Sequence, residues 1–207
     1  GVSPPGEDAA RVAFFGLFSL QHRGQEAGGI VTHDAGTGFH SSKKLGYVRD
    51  NFTTAESMAE LPGRIGIGHV RYSTAGGKGA TALRDVQPFL ADLAMGSMAL
   101  AHNGNVVNAV ELRKELEELG CHFAGSNDSE IIAELIANAP SANGEGRMAH
   151  AMRKLRGAYS LTLLTKDAMI GVRDPLGVRP LCVGKLNGGW VIASESCALD
   201  HVGAKDV

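Results

Sequence analysis

The spacing of apolar residues changes twice along this 207-residue chain, and that change narrows the architectures open to it. From Gly29 to His102 the apolar residues come mostly in short runs cut by turn residues. Between Asn108 and Pro140 they recur every three or four positions, and from Gly157 onward they come in short runs again. A period near two marks strands and a period near 3.6 marks helices. Strands, then a helical pair, then strands indicate an α+β fold with mainly antiparallel sheets and helices packed on their faces.

Local signals place the pieces. Val12, Phe15 and Leu20 predict a first helix over Asp8–Leu20. The turn cluster Asp34-Ala35-Gly36-Thr37-Gly38 between Gly29-Ile30-Val31 and Phe39–Leu45 predicts a hairpin. Thr53–Leu61 reads as a short helix stopped by Pro62-Gly63. In the strand Arg64–Val70, Ile65, Ile67 and His69 share a face, while Gly66 and Gly68 leave the other bare for a closely packed layer. After the strand Ser97–His102, Asn108 with Glu111 resembles a capping box, Leu112, Leu116 and Leu119 share a face, and Gly120 ends the helix. A second helix runs from Asp128 to Pro140, and Ser141–Gly146 reads as a polar loop. Four further strands, Ala158–Thr165, Ala168–Arg173, Arg179–Lys185 and Gly189–Ser194, follow. Asn187-Gly188 between the last two is a strong hairpin signal. No repeat, long linker or low-complexity tract interrupts the chain.

Composition excludes several classes. Lys plus Arg 20 against Asp plus Glu 22 gives a net charge of -2, so there is no basic excess to neutralise nucleic-acid phosphates or bind anionic lipid. The length suits one domain with a core that needs no staple. Cys121, Cys182 and Cys197 fit neither a disulfide framework nor a zinc knuckle, which points to a reducing, cytosolic setting. No apolar run approaches the ~18 residues of a membrane span. The start Gly1-Val2-Ser3-Pro4-Pro5 is not a signal peptide and lacks an initiator Met, so the expectation is a front that is processed or truncated. Glycine is in excess, 28 residues or about 13.5% against a usual ~7%, so many positions require positive φ or close approach.

Several motifs fail. Gly66-Ile67-Gly68 lacks the third glycine of a dinucleotide fingerprint, and Gly77-Lys78 lacks the rest of a P-loop. There is no G-x-S-x-G. His22, His69 and His102 show no metal-ligand spacing and read more simply as core histidines or supports of a neighbouring site.

Four polar segments remain, each at the end of an element: Gln21-His22-Arg23-Gly24-Gln25, His69-Val70-Arg71-Tyr72-Ser73-Thr74-Ala75-Gly76, Ala101-His102-Asn103-Gly104-Asn105 and Ser126-Asn127-Asp128-Ser129-Glu130. Singly, each has a structural explanation: Asn103-Gly104 as a turn, Asn127 or Asp128 as a helix cap, Arg71 as an ion-pair partner, His22-Arg23 as a helix C-terminal pair. Together they offer a guanidinium fork for a carboxylate at Arg71, a carboxylate for an ammonium at Asp128, and oxyanion donors at Asn103 and the Gly104 N–H. An amino acid carrying an amide to be cleaved satisfies all three.

These segments, in this order, resemble the glutaminase domain of the amidophosphoribosyltransferase family. Arg156-Gly157-Ala158-Tyr159, Arg173–Leu181 (RDPLGVRPL) and Ala193-Ser194-Glu195-Ser196 extend the resemblance over nearly the whole chain. Ala75 stands where the related glucosamine-phosphate synthases carry His. The resemblance implies a four-layer αββα sandwich of the N-terminal-nucleophile (Ntn) hydrolase type. It implies that Arg71 and Thr74 hold the α-carboxylate of L-glutamine, Asp128 the α-ammonium, and Asn103 and Gly104 the oxyanion, with Tyr72 at the site mouth. An N-terminal cysteine thiolate attacks the side-chain amide, a thioester forms as ammonia leaves, and water releases glutamate. The ammonia converts phosphoribosyl pyrophosphate to 5-phosphoribosylamine, the first step of de novo purine synthesis.

The opening Cys-Gly-x-Phe-Gly of the family is replaced here by Gly1-Val2-Ser3, and none of the three cysteines can substitute. The expectation is therefore that residues 1–207 form one glutaminase domain, that about four residues including the nucleophile precede Gly1, and that a phosphoribosyltransferase domain follows Val207. A polypeptide starting at Gly1 is expected to be inactive. The resemblance implies no cofactor in this segment, Mg²⁺ in the phosphoribosyltransferase domain, and in some relatives an iron–sulfur cluster held largely by cysteines beyond it. It also implies a cytoplasmic homo-oligomer at full length with neither nucleic acid nor membrane as partner. Two alternatives stay open: a catalytically dead glutamine-binding module of the same fold, and the glutaminase domain of another amidotransferase of this class.

Overall fold

The computed structural model describes residues 1–3, 8–72, 83–93, 96–123, 125 and 127–206; for residues 84 and 206 it describes the main chain only. The expected Thr74, Ser126 and loop Ser73–Gly79 lie outside the described residues.

Two antiparallel sheets stack face to face with helices outside both. The first sheet contains β1 (Val2–Ser3), β2 (Ala27–Asp34), β3 (Gly38–Leu45), β4 (Ile65–Arg71), β9 (Cys182–Leu186), β10 (Gly189–Ala193) and β11 (Lys205–Asp206), ordered β11-β9-β10-β1-β4-β2-β3. The second contains β5 (Phe89–Leu93), β6 (Gly96–Val106), β7 (Gly157–Leu164) and β8 (Met169–Arg173) in sequence order. Helices α1 (Ala9–Ser19) and α7 (Ser196–His201) cover the first sheet, with short α2 (Val48–Asn51) and α3 (Ala55–Ala59) beside them. Helices α4 (Ala109–Glu118), α5 (Asp128–Ala137) and α6 (Gly144–Lys154) cover the second. This is the αββα sandwich.

Three apolar clusters hold the layers. Ile132, Ile136, Leu112 and Leu116 pack on Leu100, Leu161 and Leu163 of the second sheet, and Leu17, Val12 and Leu199 pack over the first. Between the sheets lie Val31 and Ile67 from one side and Ala99, Ala101 and Leu164 from the other. The bare face of β4 does admit a close layer: a Cβ on Gly68 would stand 2.7 Å from Leu17 Cδ1.

The structure corrects three local expectations and adds elements that were not expected. Ser141–Gly146 is not simply a loop, because Asn143 accepts the Gly146 N–H at 2.7 Å and starts α6, so the central block holds three helices. Two early glycines hide this start from a periodicity reading. The Asn108–Glu111 capping box does not form. Instead Asn108 Oδ1 accepts the Arg156 N–H and its Nδ2 donates to the Lys154 carbonyl, both at 3.0 Å, tying α4 to the α6–β7 junction. Residues 179–181 are not strand, since Ser160 Oγ binds the Arg179 and Pro180 carbonyls. Strands β1, β5 and β11 and helices α2 and α7 are the additions, all short and weakly patterned.

Candidate active site

Where the sheets separate, the period-two alternation turns from apolar to polar on both facing strands. On β4, Ile65 and Ile67 are followed on the same face by His69 and Arg71, and on β6, Ala99 and Ala101 by Asn103. The alternation that builds the core thus delivers three polar side chains to a cleft of about 540 Å³. Arg71, Tyr72, Asn103, Gly104 and Asp128 all border it.

Asn103 sits in the ladder opposite Ser160, and its Nδ2 is buried with no partner among the described residues. Buried donors are seldom left unpaired in native proteins, so this one is a candidate to meet a ligand oxygen. Gly104 cannot carry a side chain: a Cβ would stand 2.1 Å from the Ala158 carbonyl oxygen and 2.7 Å from Tyr159 Cα. The main chain therefore runs close against β7 beside Asn103. The N–H of His102 is taken by Gln87 Oε1 at 2.6 Å, which braces the strand one residue before Asn103.

Asp128 opens α5, but it is not the cap. Asn127 Oδ1 accepts the Glu130 N–H at 2.9 Å and does that work, worth about 1 kcal/mol. Asp128 is left to face the cleft, with Oδ2 accepting the Val106 N–H at 3.0 Å and its position next to β6 thereby fixed. A carboxylate in the first turn is also favoured by the helix dipole.

Arg71 closes β4. Its Nη1 donates to the Asp85 carbonyl at 2.9 Å and its Nε lies 3.5 Å from Glu26 Oε2, which aims the fork while leaving further N–H groups toward the cleft. Tyr72 follows at the mouth, 69% exposed. Arg23 also borders the cleft and is paired with Glu195.

Two histidines line the same space. Burial holds His69 at about 4, with the nearby His102 a lesser cause, and burial holds His102 at about 4 against the opposing pull of the Asp128 carboxylate. Both rings are neutral through the physiological range and supply no cation. None of the three free cysteines lines the cleft. Among the described residues no three His, Cys, Asp or Glu side chains gather as a metal-binding group, and no helix is long and apolar enough to cross a membrane.

The profile of the family described as glutamine amidotransferase domain matches residues 78–201. The chain belongs to this family. Its curated relatives include amidophosphoribosyltransferases from Rhizobium etli, 44% identical over 96% of this chain and 39% of the relative, and from Methanocaldococcus jannaschii, 45% identical over 97% of this chain and 42% of the relative. Among solved structures, the glutamine phosphoribosylpyrophosphate amidotransferase of Bacillus subtilis, complexed with ADP and GMP, superposes with a TM-score of 0.87 at 39% identity. It covers 97% of this chain and 42% of that one. The chain thus spans about two fifths of the length of the amidophosphoribosyltransferases it matches.

Within this glutamine amidotransferase domain, sequence reasoning found five residues that the fold brings to one cleft, but it missed their supports. Gln87 and Asp85 have no motif of their own, because each acts through contacts made only when the loop at 83–88 folds over β2 and β6, and Glu26 meets Arg71 only through the pairing of β2 with β4. Arg179 lies in the Arg173–Leu181 run, whose residue types alone assign it no role. His22, which no motif assigned to the site, lies apart, hydrogen-bonded to Glu195.

Proposed function

We propose that this chain is the glutamine-hydrolysing domain of an amidophosphoribosyltransferase, supplying ammonia to phosphoribosyl pyrophosphate to form 5-phosphoribosylamine at the first step of de novo purine synthesis. The observation that carries the reading is the meeting of Arg71, Asp128 and the buried, unpartnered Asn103 Nδ2 in one cleft formed where the sheets part. Arg71, with Thr74, receives the α-carboxylate of L-glutamine and Asp128 its α-ammonium. Tyr72 stands at the entrance. Those grips leave the side-chain amide at Asn103 and Gly104, whose N–H donors receive the oxygen as it becomes negative. Each such donor is worth about 3 kcal/mol of barrier.

The nucleophile is assigned to an N-terminal cysteine upstream of Gly1. Strand register supports this placement. Val2 faces Gly66 on β4 and Val191 on β10, so a strand continued upstream in this register would step one position along β4 per residue and bring the fourth residue before Gly1 level with Arg71 at the cleft. A thiolate there attacks the amide carbon, its own α-amino group takes and returns the proton, ammonia leaves, and water cleaves the thioester.

The remainder of the full-length protein is assigned as the phosphoribosyltransferase domain with its Mg²⁺, in a cytoplasmic homo-oligomer. An iron–sulfur cluster, where present, belongs to that remainder. The native reading frame tests the proposal: a Cys-Gly pair a few residues before Gly1 is required, and the full-length enzyme must release glutamate from glutamine. Any other residue at that position defeats the catalytic reading, as does measurable glutamate release by a polypeptide starting at Gly1.

A further inference from the structure

The loop between β8 and β9 is fixed by its main chain from three sides. The buried carboxylate of Asp174 accepts the N–H groups of Val178 and Arg179, each at 3.0 Å. Arg173 Nε donates to the Arg179 carbonyl at 2.8 Å. Ser160 Oγ lies 3.2 Å from that carbonyl and 2.9 Å from that of Pro180. Ser160 is the cross-strand partner of Asn103, and such partners share a face of the sheet. The main chain of Arg179 is thereby anchored on the Asn103 side.

Three arginines border the cleft. Arg23 is paired with Glu195, and Arg71 is engaged by Glu26 and the Asp85 carbonyl. The Arg179 guanidinium has no hydrogen-bond or ion-pair partner among the described residues, and its Nε is buried. It forms no ion pair with Asp128, although both charges act on the ring of His102. A planar fork with a buried, unused donor, lining the same cleft as another buried, unused donor, suits a negative oxygen.

We propose that Arg179 is a further substrate-contacting residue of this cleft, its guanidinium standing at the end where the side-chain carbonyl of the bound amino acid meets Asn103. There it attracts the oxygen that turns negative during amide cleavage, and afterwards the carboxylate of the released acid. This rests on the amide-hydrolysis reading above.

The test uses the full-length enzyme with its native N-terminus and compares Arg179→Gln, Arg179→Lys and Arg71→Ala. Loss of one donor at a developing oxyanion lowers kcat by about 100-fold. Arg179→Gln is expected to show that loss with little change in the glutamine KM, to weaken inhibition by added L-glutamate at least as clearly, and to leave Tm unchanged because the loop is held by main-chain bonds. Arg179→Lys keeps the charge without the fork and restores part of both. Wild-type kcat and glutamate inhibition in Arg179→Gln overturn the inference, as does a kcat loss matched by a fall in Tm. Arg71→Ala separates the two readings: a raised KM there with a silent Arg179→Gln removes the inference alone, and silence of both removes the site.

Discussion

Gln87 Oε1 holds the main-chain N–H of His102 at 2.6 Å, although neither residue is itself assigned a contact with substrate. The bond fixes β6 one residue before Asn103, from a loop that also supplies the carbonyl gripping Arg71. Both ends of the proposed glutamine site therefore lean on residues 85–87. Gln87→Leu leaves a buried N–H unpaired at a cost of about 1–3 kcal/mol and releases the strand beside the oxyanion donors. The expected outcome in the full-length enzyme is a lowered kcat with a modest loss of Tm. An unchanged kcat despite the lost stability would show that Asn103 is held well enough by β7 alone.

Arg71→Ala is expected to raise the glutamine KM by about 10- to 100-fold, the equivalent of a hydrogen bond to a charged group, while kcat at saturation falls far less. Steady-state kinetics beside thermal unfolding decide the matter. Loss of folding in step with loss of binding would make the Asp85 and Glu26 contacts, and not a substrate carboxylate, the purpose of this arginine.

For Asn103 the split runs the other way. Asn103→Ala removes the donor proposed to act mainly in the transition state, so kcat is expected to fall by about 100- to 1000-fold with KM little changed. Gly104→Ala cannot be read kinetically, because its Cβ collides with the Ala158 carbonyl; poor folding in a urea titration is the expected result.

Stability should also depend on acidity through the two buried imidazoles. Each has a folded value near 4 against 6.5 in the unfolded chain, so below 6.5 the unfolded state binds protons that the folded state refuses. Stability is flat in this respect above pH 6.5 and falls as pH drops toward 4, by up to about 1.4 kcal/mol per pH unit for each ring. Urea midpoints at pH 7.5 and 5 measure it, and His102→Gln should remove about half of the slope. Equal midpoints at the two pH values would mean that the rings are reached by water or protonated in the folded state.

Much of this was legible in the residues. The hairpin around Asp34, the helix after Asn127 and the glycine face of β4 each follow from a strong local rule, and Arg71, Asn103 and Asp128 stand at element ends where charged and amide groups are presented. What stayed hidden is contact made across the fold. Asn108 looked like a cap because its neighbours in sequence fit one, yet its hydrogen bonds go to residues more than forty positions away. Helix α6 began with glycines, and Gln87 carried no pattern at all. Arg179 sat in plain view, but only the ladder from Asn103 to Ser160 tells which way its loop is anchored.

The proposed carboxylate grip belongs to one sheet and the proposed oxyanion donors to the other, and what separates them is the apolar layer where Val31 and Ile67 meet Ala99, Ala101 and Leu164. The two sheets are the jaws of a caliper whose opening is set by the side chains packed between them. A substitution that thickens or thins this layer would therefore shift the two halves of the proposed glutamine site against each other, without altering any group placed at the substrate.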